Sequence, residues 1–176
     1  MLNEEENQKY EVWLRGPIAG IPALLQPAAH ALLQTSEEIK KYTVNICPEQ
    51  LWLQPHGRAS IAFHLQHITG VLDRMITYSK GKSLNESQFE FLRAEGKEDR
   101  TITIAHLIED FDGQLDEALA YFKTLSEDVL KEGRTVGRKK LPSTVIGLLF
   151  HSAEHSQRHT GQMLVTASIV KSAQKN

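Results

Sequence analysis

The residues best able to do chemistry in this sequence are its eight histidines, three of which share one register. The segment FHSAEHSQRHTGQM sets His151, His155 and His159 at i, i+4 and i+8, so in a helix they stack along one face. Neighbours in such a row hold their Cβ atoms roughly 5–6 Å apart. Two imidazoles can then reach a common ion at roughly 2.0–2.1 Å per bond. No glutamate directly follows the first histidine, as HExxH requires, so a metalloprotease is not indicated. Two ligands on one helix do not make a tight site, and another helix must supply at least one more.

The segment FHLQHITG offers His64 and His67. His67 is flanked by the apolar stripe through Ile68, Val71 and Leu72, which turns it inward or to the core's edge, and His64 lies roughly on the same side. If the two helices are neighbours, His67 meets His155 and His159 across the core. Three neutral imidazoles on a divalent ion leave at least one coordination position open, as reactive sites do. The plainer alternative stands beside this one: a histidine on an apolar face is often a hydrogen-bonded core residue. His30, His56 and His106 are assigned to that class.

These side chains need helices to position them, and apolar spacing supplies four. The first covers residues 22–41, with Leu25, Ala28, Ala29, Leu32, Ser36 and Ile39 on one face and Pro27 confined to its start. Residues 58–80 form the second, through Ile61, Leu65, Ile68, Leu72, Met75 and Ile76. The third spans 103–124. The fourth covers 143–171, with Ser143 as N-cap. Between them, residues 42–57 read as a connection and 81–100 as a polar loop, in which SQFEFLRA could form a short helical turn. No convincing strand is found, although Thr101–Thr103 could mimic one. The fold class is all-α, a four-helix bundle in one domain over 1–176. Residues 1–20 are an irregular lead-in, with Trp13 and Leu14 expected to lie over the domain, and 172–176 are a flexible tail.

Composition excludes several classes. Apolar residues at 40% and charged residues at 24% suit one soluble domain. A formal charge of −2 and a pI near 6.4 argue against nucleic-acid or anionic-membrane partners. The basic cluster Arg134, Arg138, Lys139 and Lys140 reads as a solvated loop. The single cysteine, Cys47, allows no intramolecular disulfide. With neither an export signal nor an apolar run of membrane length in the sequence, a cytoplasmic location is expected.

The two histidine segments, GRASIAFHLQHITGVLDRM and HSAEHSQRHTGQM, resemble those of the DinB-like superfamily, also called DinB/YfiT-like metalloenzymes. The likeness covers nearly the whole chain in helix order. It implies a four-helix bundle with a three-histidine metal site. The histidine that ends an HLxH-like turn falls on His67, and an HxxxHxGQ-like signature falls on His155, His159, Gly161 and Gln162. His64 and His151 are extra, as alternative or supporting partners, and Gln162 is placed where it could orient a ligand or a bound water. The resemblance further implies nickel or zinc and a homodimer. It also implies thiol-dependent transferase or isomerase chemistry with a low-molecular-weight thiol such as bacillithiol, mycothiol or glutathione.

Two functions follow as expectations. One is a metal-dependent transferase acting on a small-molecule substrate, with the ion favouring the thiolate of its cosubstrate; Arg158 and Arg74 are candidates for binding that thiol's carboxylates. The other is a non-catalytic metal-binding or stress-associated protein whose ion is structural or sensory. An apolar stripe around Trp13, Leu24 and Leu33 is available for a homodimer.

Overall fold

The computed structural model describes residues 9–173. The expected N-terminal lead-in and C-terminal tail lie partly outside these residues. Four long helices dominate: α1 (Gln26–Thr43), α3 (Ile61–Ser79), α5 (Ile104–Phe122) and α7 (Val145–Ser172). Three short ones join them, α2 (Pro48–Leu51), α4 (Glu86–Ala94) and α6 (Glu127–Leu130). Around the bundle the long helices neighbour one another in the order α1, α7, α3, α5. None of the described helices is long and apolar enough to cross a membrane.

The apolar stripes explain this arrangement. Leu25, Leu32 and Ile39 from α1 and its lead-in turn bury completely with Ile61, Leu65, Ile68 and Leu72 of α3. Phe111 and Phe122 of α5 and Leu149 of α7 fill the remaining space. Each boundary has a local cause. Ser60 Oγ accepts from Phe63 N at 3.1 Å and starts α3, and Thr103 caps α5. Asn85 and Gln88 exchange reciprocal bonds of 2.9 and 3.0 Å and start α4. Pro27 sits in the first turn of α1, where its missing N–H costs nothing.

Four expectations are corrected. The stretch 133–144 is a β-hairpin, β1 (Gly133–Val136) antiparallel to β2 (Leu141–Thr144), with Gly133 opposite Thr144 and Val136 opposite Leu141. No buried face generates an alternating pattern there, and Pro142 within β2 hid it further. Consequently the cap of α7 is Thr144, whose hydroxyl accepts from Gly147 N at 3.1 Å, and not Ser143. Residues 81–100 contain a nine-residue helix, α4, where a loop with at most a turn was expected. Finally, Trp13 and Leu14 are 61% and 52% exposed; Val12 is the residue the lead-in buries.

Candidate metal centre

The histidines are set by the two best-packed helices. The cap at Ser60 fixes the start of α3, so His64 and His67 fall in its first two turns, facing α7. On α7, His151, His155 and His159 follow at one-turn intervals. His67, His155 and His159 each offer a ring nitrogen, all within 4.8 Å of one another. Their ring centroids lie 4.5–5.1 Å apart. Phe63 stacks on His67 at 5.2 Å and 11° between planes, closing one side.

Partners set the ring orientations. His67 Nδ1 lies 2.6 Å from Glu95 Oε2, so with its proton on Nδ1 it donates there and keeps the Nε2 lone pair for the cluster. Glu95 comes from the residue that ends α4, and its side chain is 5% exposed. Arg74, one turn further along α3 than Gly70, donates from Nη1 to Glu95 Oε1 at 2.7 Å. Arg74 is itself buried, so it serves as a buried counter-charge to Glu95 and is not open to a carboxylate from solution. Arg158 pairs with Glu154 on the exposed side of α7.

The backbone makes room for this chain of contacts at Gly70. A Cβ there would stand 2.6 Å from both Arg74 Nη1 and Glu95 Oε1 and 2.9 Å from Phe91. The next loop is fixed by Gly96, whose N–H donates to Gln66 Oε1 at 2.8 Å. Gly96 has φ +78° and passes so close to Phe63 that a Cβ would fall 2.9 Å from its ring.

The remaining histidines divide clearly. His64 is buried, with Nδ1 2.9 Å from His159 Nδ1, so a proton shared on that side leaves His159 Nε2 free. His151 is exposed and pairs with Glu154 at 2.9 Å. Together with His155 these two form a second group of compatible spacing, but it competes for His155, and Glu154 already answers Arg158. Gln162 is exposed one turn beyond His159. His30 is half-buried against Gly16 O at 3.0 Å, whereas His56 and His106 are exposed and not the core residues expected of them.

The donor set suits a cation. His67 Nε2 and His155 Nε2 lie 2.9 Å apart, and opening to about 3.0–3.4 Å would fit two bonds of about 2.1 Å to one ion. His155 Nδ1 is the one buried side-chain polar atom among the described residues with no hydrogen-bond partner. Burial, and after it the neighbouring His67, lowers His64 and His155 to about 4. Burial and then His67, His155 and His64 lower His159 to about 3. These three rings are therefore neutral near pH 7, the state that binds metals.

Sequence reasoning missed Glu95, and it misread Arg74. A carboxylate in a polar stretch carries no spacing signal. Gly70 did carry one: a glycine inside an apolar helix costs about 1 kcal/mol against alanine, which calls for a close approach to explain it.

No curated protein matches the chain. The model of one family does, described as the DinB superfamily, over residues 31–163. That span is most of the 176 residues and includes both histidine segments, Arg74 and Glu95. With this match and the mostly helical bundle, the chain belongs to the DinB superfamily.

Proposed function

We propose that this chain is a divalent-metal protein in which His67, His155 and His159 hold one nickel or zinc ion, and that it is a metal-dependent, thiol-dependent transferase or isomerase. The observation that carries the metal reading is the convergence of three ring nitrogens within 4.8 Å, contributed by two helices. When bound, the ion would act as a Lewis acid at its open position, favouring the thiolate of a small thiol. The residues of the chain do the positioning. Glu95 accepts the Nδ1 proton of His67 and makes that ring a stronger donor. Arg74 holds the Glu95 carboxylate in place through its 2.7 Å contact. Phe63 stacks on one face of His67 and restrains its ring. Neither histidine segment contains a cysteine, so the thiol in this reading comes from solution. A non-catalytic protein with a structural or sensory ion is the alternative, and an exchangeable ligand on the ion separates the two.

The test is elemental analysis of untagged protein, then cobalt substitution and titration with glutathione, bacillithiol and mycothiol. His67→Ala, His155→Ala and His159→Ala should each lose bound metal, while His30→Ala and His106→Ala keep it. A sulfur-to-cobalt charge-transfer band on adding thiol supports the transferase. Without a spectral change or consumption of an electrophile, only metal binding survives. Exposed Trp13 and Leu24 support a homodimer, to be checked by light scattering.

A further inference from the structure

Three of the four cations in the basic cluster that reads as a solvated loop, Arg134, Arg138 and Lys140, line a cleft. The hairpin β1–β2 folds back on the C-terminal end of α3, where Arg134 Nε donates to Ser79 O at 2.7 Å and fixes the two together. Between them opens a cavity of about 930 Å³, at the upper end of the range for small-molecule sites. It lies away from His67. Tyr78 follows His67 by eleven residues on α3, about 16 Å along the axis.

Four cations and no carboxylates line this cleft: Lys82, Arg134, Arg138 and Lys140. Arg134 is neutralised by Glu132 at 2.8 Å. The other three are exposed and form no ion pair among the described residues. They come from two separate segments, the loop after α3 and the hairpin turn, yet border one cavity. Arg138 lies over the Phe89 ring, 5.9 Å from its centroid, which restrains the guanidinium before any ligand arrives. Lys140 has φ +48°, a conformation that glycine or asparagine adopts more easily. The turn thus keeps a strained cation at the rim. Tyr78, Leu84 and Pro142 supply apolar wall.

We propose that this cleft binds a phosphorylated small molecule with a flat apolar body, of mononucleotide size. Three unanswered cations exceed what one carboxylate can neutralise, whereas a phosphate ester carries up to two charges per terminal group and several acceptor oxygens. The apolar wall accounts for the body, and the cavity of about 930 Å³ matches a small molecule in size. The site is independent of the metal reading.

The experiment is calorimetric titration of the full chain with ADP, pyrophosphate, citrate and a short single-stranded RNA, at low salt and at about 150 mM salt. ADP should bind more tightly than pyrophosphate or citrate. Arg138→Gln and Lys140→Gln should each weaken it about tenfold. Lys139→Gln, an exposed cation of the same turn that does not line the cleft, should change it by less than about twofold. His67→Ala should bind ADP as the parent does. Absence of ADP binding overturns the proposal. So does citrate binding as tight as ADP, an equal loss in Lys139→Gln, dependence on His67, or RNA outcompeting ADP, which would make the surface a polymer site.

Discussion

Replacing Gly70 by alanine tests how far the histidine cluster depends on the buried contacts behind it. The added methyl carbon would sit 2.6 Å from Arg74 Nη1 and Glu95 Oε1 and 2.9 Å from Phe91. Such atoms settle at about 3.5 Å, so the guanidinium and carboxylate must each retreat by about 0.9 Å or swing away. A retreat of that size turns the 2.7 Å ion pair and the 2.6 Å bond to His67 into gaps beyond hydrogen-bond range. Breaking a buried pair outright costs about 3–5 kcal/mol. Alanine returns about 1 kcal/mol of helix propensity, and side-chain adjustment returns more. The expected net loss is about 1–3 kcal/mol in urea unfolding. Metal affinity should fall about 10–100-fold as His67 loses its orienting partner. If Gly70→Ala instead gained about 1 kcal/mol and kept its metal affinity, propensity alone would explain the data, and the line from Gly70 to His67 would have no role.

Three further outcomes follow. Glu95→Gln keeps the shape but leaves Arg74 buried without a counter-charge, so unfolding should become easier by about 3 kcal/mol; an unchanged urea midpoint would mean that water reaches Arg74. The metal-free protein should lose stability as pH falls. His64, His155 and His159 titrate below the unfolded value of about 6.5, so between that pH and about 4, and about 3 for His159, the unfolded chain binds more protons. Their contribution is complete above pH 6.5 and declines through that window, and a His64→Gln variant should show a shallower decline; parallel curves would remove His64 from the account. Thr144→Ala should cost about 1 kcal/mol in thermal melts and Ser143→Ala much less, an order that reverses if Ser143 is the cap after all.

The long helices were legible because each buries one stripe against its neighbours, and burial at 3.6-residue spacing is what a sequence displays best. Leu25, Leu32 and Ile39 were readable for this reason, as were Ile61, Leu65 and Ile68. The meeting of His67 with His155 and His159 was readable only in part. Spacing put two rings on one face, but which helix lies opposite is a property of packing. The hairpin was hidden because its four-residue strands are held by backbone pairing and by Arg134, with no buried stripe to announce them. Glu95 was hidden for a similar reason. Its partners, Arg74 and His67, lie 21 and 28 residues earlier, and only the fold brings them together.

The contact between His67 and His155 joins residues 88 positions apart, and that between His64 and His159 joins residues 95 apart. Closing so long a loop has an entropic cost that no local segment can offset. The cluster therefore assembles only once α7 has docked against α3, and a partly folded chain holds at most the two-histidine arm of α7. An ion bound by the assembled cluster favours the finished bundle by mass action, more strongly as its free concentration exceeds its dissociation constant. Metal uptake during refolding would then report the arrival of the last long helix, and metal supply would set how much of the protein survives there.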